Sequence, residues 1–579
     1  MVTEWQKVVT IDEFSLVPFV IQSLVGRSPL VIEISPLLPP LTRMMEAVVG
    51  FFDKRSSARQ SRPGQTLLTT LRKSPHKWKT TDIFLRCEET CNKAYKFDEL
   101  DAKDFRLAHP YKNVSVNYFQ RHLRILDWLQ RLAAAFPAEK FLYRTNCPRQ
   151  FEIFKTVTPM PANIGFDFKS RWFLPFNALM AFAICCVGYR RIFRWVSLRP
   201  PAAKSVYLGF DAITDRRLLT TLSELSDDPN GTLGVFRNKH HWNDGKDWFG
   251  PYPVCPLLDG VLSIGQSIAE LKKITAECFR LARRFGRYDP RHTFLILKFP
   301  LVELTYFALM EKYHFQNFFG RDDYNVEHIF RTWEIRKRGG RSLGINHGTP
   351  YYPIIDPVWR YLDFDVYFVF GSDLYEKYYQ AVWPPSMRIV NVGSFGMTRT
   401  QFFEALKAHP ERQDIGVFLK LFDDDMEPEW AIEIVRVLAE AFPDKTVYLK
   451  PKYSGAKDIN RDLLNRFLSR APGNIVVATN DAYDVLSRVR YCVSSPSTIV
   501  FEAINLGVVS FCYDIYPETT PLHFRDYPDL CFPDPEVIIA RIHSIEDGSW
   551  VYPRETFSGL IDISGTYTYD RIKTNMLGG

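Results

Sequence analysis

The chain has 579 residues, of which 46% are apolar and 24% are charged, and its formal net charge is +7 at pH 7. This length exceeds what one hydrophobic core serves, so we expect two or three domains, and the composition excludes general disorder. The basic residues are scattered, which argues against a nucleic-acid binder and favours anionic small ligands or an anionic membrane surface as partners.

The ten cysteines form no CxxC pair and no zinc-finger spacing, so we expect reduced thiols in a cytoplasmic protein. The first residues, Met1 to Lys7, are polar and lack the apolar stretch of a signal peptide. The cysteines therefore point to no metal site, and the start of the chain agrees with a cytoplasmic location.

Residues 1–165 predict an N-terminal α/β module. Strand-like runs at Val8–Ile11 and Pro29–Ser35 enclose an apolar helical run, Phe14–Val25, which is the spacing of a βαβ unit. Further along, the pattern predicts strands at Asp82–Leu85 and Lys140–Tyr143, helices at Leu41–Phe52 and Asn117–Ala135, and a loop at Asp53–Lys79.

Residues 166–203 form an apolar connector. Its stretch Trp172–Tyr189 carries no charge over 18 residues and is bracketed by basic side chains. Two interpretations remain open: interfacial contact with a membrane through 172–195, with Trp172 and Trp195 near the headgroups, or a buried helix that joins two domains. A true membrane span is less favoured, because the run is at the short limit and contains Pro175 and Asn177.

Residues 204–395 predict a first Rossmann-like domain, on the acceptor side. Its clearest elements are the strands Ser205–Asp211, Leu233–Arg237, Ser342–Asn346, Asp365–Phe370 and Arg388–Val392, with helices at Leu218–Leu225, Ile268–Phe285, Leu301–Tyr313 and Val326–Arg338.

Residues 396–579 predict the second Rossmann-like domain, which would bind the donor. Five strands (Ile415–Phe422, Thr446–Lys450, Asn474–Ala478, Tyr491–Val493, Val508–Cys512) alternate with four helices (Glu429–Phe442, Asn460–Arg470, Ala482–Val489, Thr498–Leu506). Alternation through short loops specifies a parallel, doubly wound sheet, in which ligands bind beyond the carboxyl ends of the strands.

The residues that follow the fourth of these strands predict a phosphate site. Hydroxyls and backbone N–H groups stand before a helix at Ser494, Ser495, Ser497 and Thr498, and Glu502 lies one turn further on, where a carboxylate can bind ribose hydroxyls. Simple capping of the helix is the alternative, but it uses only one hydroxyl.

Lys450 and Lys452 end another strand, where they would neutralise a diphosphate or stay in solvent. The run Asp423–Asp425 reads more readily as a helix start than as a metal-binding DxD motif.

Two candidates for the chemistry lie in the acceptor-side domain. His347, in the loop after a strand, would contact phosphate or act as acid or base, and Asp322 and Asp323 would deprotonate an acceptor hydroxyl. The alternative for His347 is a purely structural role, and the alternative for Asp322 and Asp323 is an internal ion pair with Arg321.

Three segments, GINHG (344–348) with VYFVFG (366–371), VYLKPK (447–452) and SSPSTIVFEAINLG (494–507), together resemble the GT-B glycosyltransferases of bacterial surface-polysaccharide assembly. The resemblance covers about residues 340–515 and extends to CMP-Kdo and sialyltransferase-like enzymes and CDP-glycerol phosphotransferases. It implies two Rossmann-like domains facing a cleft, no metal or cofactor, and donor contacts from Ser494, Ser495, Ser497, Thr498 and Glu502. Many relatives have His-Pro where this chain has Lys450-Pro451, a departure that bears on a CMP-sugar donor.

The sequence therefore predicts transfer of a sugar from a nucleotide-sugar to a growing surface polysaccharide or a lipid-linked acceptor, in the cytoplasm or at the inner face of its membrane. The alternatives are a CDP-polyol phosphotransferase of teichoic-acid-like polymers and a non-catalytic scaffold in an assembly complex.

Overall fold

The computed structural model describes residues 6–11, 30–34, 45, 81–97, 105–145, 154–156, 159–168, 173–213, 216–237, 242, 245–285, 290–321, 325–346, 348, 357–407, 412–419, 429–451, 461–515 and 523–577. The predicted helices Phe14–Val25 and Leu41–Phe52 and the predicted loop Asp53–Lys79 lie wholly or almost wholly outside these residues.

The strands are β1 Gln6–Ile11, β2 Leu30–Ile34, β3 Phe141–Thr145, β4 Ile164–Phe168, β5 Val196–Ser197, β6 Lys204–Asp211, β7 Thr232–Phe236, β8 Val254–Pro256, β9 Leu262–Ser263, β10 Tyr313–Gly320, β11 Arg341–Ile345, β12 Val366–Val369, β13 Arg388–Asn391, β14 Asp414–Leu419, β15 Val447–Pro451, β16 Ile475–Val477, β17 Val489–Ser494, β18 Val509–Tyr513 and β19 Cys531–Phe532.

The helices are α1 Thr81–Tyr95, α2 Phe105–Ala135, α3 Phe173–Trp195, α4 Arg216–Leu225, α5 Ile264–Phe285, α6 Pro290–Leu297, α7 Phe299–Lys312, α8 Glu327–Arg336, α9 Pro357–Arg360, α10 Asp373–Tyr378, α11 Arg399–Lys407, α12 Glu433–Ala441, α13 Arg461–Leu468, α14 Ala482–Leu486, α15 Ile499–Asn505, α16 Pro535–Glu546 and α17 Thr568–Leu577.

The chain divides into two compact units. The first comprises Met1–Ala202, Gly260–Lys312 and Ile354–Leu362, and the second comprises Ala203–Asp259, Tyr313–Pro353 and Asp363–Gly579. The helices α5 to α7 thus belong to the first unit, although they lie between strands of the second in sequence. The predicted domain boundaries at 165, 203 and 395 stay predictions.

The first unit contains a four-stranded parallel sheet in the order β2-β1-β3-β4. The prediction of a strand at Asp82–Leu85 is wrong, since these residues begin helix α1. Phe84, Cys87, Cys91 and Tyr95 recur at helical spacing and are all at most 3% exposed, so one apolar face of α1 is fully buried. The four-residue spacing of Cys87 and Cys91 is therefore the period of a buried helical stripe.

The apolar connector folds as helix α3, which packs against α5, α6 and α7 of the same unit. By length and composition alone, two helical stretches among the described residues, Pro175–Trp195 and Arg291–Lys312, could cross a membrane. The protein itself buries 39% of the first stretch and 67% of the second. Trp195 is only 6% exposed, so its predicted position near lipid headgroups is wrong.

The second unit contains two parallel sheets. The larger has seven strands in the order β13-β12-β11-β10-β6-β7-β8. Its chain order reverses between β6 and β10, so this pair marks the point where an open parallel sheet binds its ligands. The segment Phe315–Phe319, to which the sequence pattern gave no element, is the core of β10.

The smaller sheet has six strands in the order β16-β15-β14-β17-β18-β19, and all its pairs are parallel. This is the Rossmann order, with the reversal between β14 and β17. Ile415, Val417, Tyr491 and Val493 are 0% exposed, as expected for central strands covered by helices on both faces. The predicted five strands and four helices are confirmed, and β19 is an additional edge strand.

The fold is therefore α/β and GT-B-like, with two Rossmann-type parallel sheets in one unit and an additional N-terminal α/β region. The predicted fold class is confirmed.

A partly exposed charge cluster beside the six-stranded sheet gives a test of this packing. Glu546, the last residue of α16, accepts hydrogen bonds from Tyr491 and, at 3.0 Å each, from Lys445 Nζ and Arg490 Nη1. Burial by itself raises the pKa of Glu546, but these donors outweigh it and the pKa lies below the ordinary value of 4.5.

We expect Glu546→Gln to lower the free energy of unfolding at pH 7 by about 2 kcal/mol, because hydrogen bonds to a charged acceptor are lost. A carboxylate with a depressed pKa stabilises the fold above its unfolded pKa, and this contribution is lost as pH falls through the folded pKa. The difference between the two proteins in urea titrations should therefore shrink below pH 4.5. Glu440→Gln, in an exposed pair with Arg436, is the matched control and should change stability by less than about 1 kcal/mol. A stability difference between the unchanged protein and Glu546→Gln that stays constant with pH would contradict the lowered pKa of Glu546.

Candidate functional site

The candidate site lies at the reversal point of the six-stranded sheet. β14 and β17 pair in parallel, with Phe418 opposite Ser494, and an open parallel sheet binds its ligands beyond the carboxyl ends of such a pair. β15 adds Lys450, which pairs with Phe418 from the other side of β14. We call the predicted set Lys450, Ser494, Ser495, Ser497, Thr498 and Glu502 the donor rim. The sheet order brings all of its strands to one edge.

The hydroxyl groups of the donor rim differ in burial and in hydrogen bonding. Ser494 is 1% exposed, and its Oγ donates to the carbonyl of Phe418 at 3.0 Å or to its neighbour's carbonyl at 2.8 Å. Thr498 is the N-cap of α15, and its side chain makes no capping hydrogen bond. Ser497 and Thr498 are partly exposed. Ser494 therefore fixes the strand end, while Ser497 and Thr498 are the partly exposed hydroxyl residues of the donor rim.

Helix α15 has only seven residues, so its dipole is short and the site does not depend on it. What distinguishes α15 is that both of its ends meet residues that follow strands of the other sheet. At its N-terminus, a Cβ placed on Gly348 would lie 3.1 Å from Thr498 Oγ1. The loop after β11 therefore touches the donor rim directly.

Asn346 shapes that loop. It is 0% exposed, and its Nδ2 donates to the carbonyl of Gly348 at 3.1 Å and to Tyr375 Oη at 2.9 Å. Its Oδ1 is buried and has no hydrogen-bond partner among the described residues. His347, between Asn346 and Gly348, lies outside the described residues, as do Asp322, Asp323, Lys452 and the run Asp423–Asp425.

At the C-terminus of α15, Asn505 is clamped to the turn after β13. Its Oδ1 accepts from the backbone N–H of Ser394 at 3.3 Å and from Ser394 Oγ at 2.7 Å, while its Nδ2 donates to the carbonyl of Asp562 at 2.5 Å. Gly393 has a φ of +77°, and a Cβ there would come within 2.9 Å of Asn505 Nδ2. Both the left-handed backbone and the close approach require glycine at this position.

Lys450 and Glu502 place opposite charges at the edge of the sheet. Lys450 is 5% exposed, and burial lowers the pKa of its ammonium while Asp481 acts in the opposite direction. Glu502 is 6% exposed. Burial, and then the charge of Glu502, raise the pKa of Tyr483, whose hydroxyl donates to the carbonyl of Phe395 at 3.0 Å. The alternative in which Lys450 stays in solvent is therefore wrong, because its side chain is buried.

The reversal point of the seven-stranded sheet carries a second charged group that the sequence analysis missed. Asp211 ends β6 at 2% exposure, with Arg237 Nε at 3.2 Å and Arg331 Nη1 at 3.4 Å from its carboxylate oxygens. Arg217 and Arg321 each place their guanidinium carbon 5.5 Å from the ring centroid of Phe395. Asp211 could have been predicted from its position, because ligands bind beyond the carboxyl ends of the strands at the reversal point of such a sheet. The partners of the arginines could not be read from the sequence.

Among the residues that the structure describes, no three His, Cys, Asp or Glu side chains cluster as a metal site would require.

Comparisons with known proteins show no family for this chain. No family model and no curated protein matches the chain. Among solved structures, the chain is similar to the wall teichoic acid polymerase TagF, at 10% identity, with 70% of this chain and 96% of that chain covered and a TM-score of 0.38. It is also similar to UDP-GlcNAc 2-epimerase from Neisseria meningitidis bound to UDP-GlcNAc, at 12% identity, with 65% and 100% covered and a TM-score of 0.40. Likeness at this level concerns the fold only.

The clamp at Asn505 generates a stability prediction. Asn505→Ala leaves the N–H of Ser394 and the carbonyl of Asp562 buried without this partner, so the free energy of unfolding should fall by about 3 kcal/mol. Asn465→Ala, on the exposed face of α13, is the control and should stay within about 0.5 kcal/mol. Urea denaturation measures both. Equal stability of the two variants would show that the clamp does not hold α15.

Proposed function

We propose that the protein is a metal- and cofactor-independent glycosyltransferase that moves a sugar from a nucleotide-sugar donor to a growing bacterial surface polysaccharide or glycolipid. The observation that carries this proposal is the contact between the donor rim and the loop after β11. Two Rossmann-type sheets each end their strands at one edge, and α15 joins the two edges. A donor held on one edge would lie beside groups of the other.

In this proposal the donor rim binds the nucleotide. The hydroxyls of Ser497 and Thr498 would donate to the donor phosphates, and the ammonium of Lys450 would offset their charge. The buried carboxylate of Glu502 would accept hydrogen bonds from the ribose. Ser494 and Ser495, both 1% exposed, would act through the backbone that they hold.

The remaining groups would act on the acceptor. A base must take the proton of the acceptor hydroxyl while the departing phosphate gains negative charge. His347 follows Asn346, whose orientation is fixed, and precedes Gly348, which lies against Thr498. We therefore assign His347 to this chemistry, with Asp322 and Asp323 as the other candidates for the base.

A second function, transfer of a polyol phosphate from a CDP donor, is favoured by the same loop. In that reaction the bond to phosphorus breaks, so a histidine next to the phosphate-binding hydroxyls would act on the reacting group itself. The approach of Gly348 to Thr498 suits this arrangement. The nucleotide and the transferred group distinguish the two functions.

The proposal places the enzyme in the cytoplasm, with peripheral contact at the inner face of the membrane through 172–195. A lipid-linked acceptor would be met there.

Nucleotide binding is the first test. One of CMP, CDP, UDP, GDP and dTDP should raise the melting temperature, because a ligand at 100 times its Kd stabilises the native state by about 2.7 kcal/mol. The double variant Lys450→Met, Ser497→Ala removes one charge and one hydroxyl and should weaken that nucleotide at least ten-fold. Lys407→Met, Ser469→Ala changes the same residue types at exposed positions and is the control. If the first variant binds the nucleotide with unchanged affinity, the donor rim is not the nucleotide site, and a non-catalytic scaffold is favoured.

Group transfer is the second test. With the nucleotide donor that the screen identifies, His347→Asn should reduce turnover at least 100-fold and leave the nucleotide-induced shift in melting temperature nearly intact. His314→Asn, in β10, should keep full activity. Turnover that survives His347→Asn but is lost in Asp322→Asn or Asp323→Asn would move the base to that loop. Activity that persists in EDTA is expected, and its loss would overturn metal independence.

A further inference from the structure

Helix α3 carries its large apolar side chains on the outside. Leu179, Phe182, Val187 and Phe193 are 63%, 58%, 42% and 69% exposed. At 3.6 residues per turn, their positions lie within an arc of roughly 140° of the helix. From Leu179 to Phe193 this stripe runs about 21 Å along the helix, at 1.5 Å per residue. Single exposed apolar residues are ordinary on protein surfaces, whereas a contiguous row marks a site of contact.

The opposite face of α3 combines small residues with Met180, Ile184, Ile192 and Trp195, which are all at most 8% exposed. Ala181 and Cys185 are at most 3% exposed, and a Cβ on Gly188 would fall 2.2 Å from Ile274 Cδ1 of α5. Cys185 Sγ approaches the carbonyl of Ile274 at 4.0 Å. The small residues let α3 and α5 approach closely, and Leu179, Phe182 and Phe193 stay outside this contact. A helix of a soluble protein normally buries its largest apolar groups.

Helix α5 extends the exposed face. It runs antiparallel to α3, because Tyr189 bonds to Thr275 while Val196 pairs with Leu262 near the start of α5. Its residues Ile264, Ile268 and Phe279 are 46%, 50% and 48% exposed. We call the exposed apolar side chains of these two neighbouring helices the α3–α5 face.

The charges of the chain segment that contains α3 have one sign. Between Asp167 and Asp211 the chain has no acidic residue but seven basic ones: Lys169, Arg171, Arg190, Arg191, Arg194, Arg199 and Lys204. Arg190 and Arg194 are exposed and have no carboxylate partner among the described residues, and Lys272 and Arg283 are exposed on α5. An apolar row with basic side chains beside it is complementary to an anionic lipid surface.

We infer that the α3–α5 face inserts into the interfacial layer of an anionic lipid bilayer, with the two helices lying in the membrane plane. This inference deepens the proposed function, on which it rests, by naming the surface that meets the membrane. We do not infer that α3 crosses the membrane, because one of its faces packs on α5 and Arg191 Nη1 donates to Thr305 Oγ1 of α7 at 2.7 Å. The basic groups at the C-terminal end of α3 instead reach phosphate headgroups while the stripe enters the acyl boundary.

Vesicle flotation tests the inference with the full-length protein and no nucleotide. Vesicles of phosphatidylcholine with one quarter phosphatidylglycerol should bind the protein, pure phosphatidylcholine should bind it much less, and 0.5 M salt should weaken binding. Phe182→Ser, Phe193→Ser should reduce binding at least ten-fold. Arg190→Gln and Arg194→Gln should each reduce it about five-fold, the equivalent of about 1 kcal/mol per charge near an anionic surface.

Matched controls separate the α3–α5 face from other exposed apolar residues. Val551 and Trp430, in the second unit, are 82% and 51% exposed, and Val551→Ser, Trp430→Ser should bind vesicles as the unchanged protein does. Equal loss in both double variants would overturn the inference. Absence of binding to the anionic vesicles would also overturn it. If the protein then self-associates in gel filtration and Phe182→Ser, Phe193→Ser abolishes this, the α3–α5 face binds a second copy of the chain instead of a lipid surface.

Cys186 gives a direct measure of depth. It lies on the exposed side of α3 and is the one exposed cysteine among those that the structure describes. With Cys147→Ser to remove a thiol outside the described residues, an environment-sensitive dye on Cys186 should shift to the blue on anionic vesicles and be quenched by acyl-chain nitroxides. Flotation without this shift would place the contact elsewhere. Since nucleotide-induced stabilisation is measured without lipid, its failure rejects the donor rim and not the membrane contact.

Discussion

Asn505 holds the C-terminal end of a seven-residue helix by hydrogen bonds, and Gly348 lies against Thr498 at its N-terminal end. Asn505 bonds to the turn after β13, and Thr498 meets the loop after β11. Both contacts form within the second unit, and each joins residues more than a hundred positions apart. Because interiors are closely packed, a helix fixed at both ends leaves the side chains along it little freedom. The geometry of the donor rim depends on this clamp more than on the helix itself.

Three charged side chains are buried at the edges of the two sheets, and they differ in how their charges are compensated. Lys450, Glu502 and Asp211 are each at most 6% exposed, and a buried charge is costly unless other charges or hydrogen bonds compensate it. Asp211 has Arg237 and Arg331, so its carboxylate is compensated within its own sheet. Lys450 Nζ donates to the carbonyl of Pro451 at 3.4 Å, and burial lowers the pKa of its ammonium while the charge of Asp481 raises it. An anionic group beside a buried ammonium favours its charged form, which is the electrostatic reason to expect phosphate there.

The sequence predicted the elements of the six-stranded sheet because each strand is a short apolar run between turn residues. It failed at Asp82–Leu85, where four residues resemble a strand, although Phe84, Cys87, Cys91 and Tyr95 carry a helical period over a longer window. Position after a strand was enough to find the donor rim, since parallel strands bring their ends together. Asn505 and Arg331 escaped prediction because their partners, Ser394 and Asp211, lie 111 and 120 positions away. No local pattern encodes such pairs.

The uncharged run in α3 shows why composition alone left two interpretations open. A buried connecting helix and an interfacial helix have the same mean hydropathy, and they differ in which side chains face the protein. In α3 the small residues Ala181, Cys185 and Gly188 face inward, while Phe182 and Phe193 face outward. Each outward aromatic ring leaves apolar area in water that a conventional arrangement would bury, at about 25 cal/mol per Å². The lipid interface that we infer would take up these rings, and the basic residues of the α3 segment would favour an anionic one.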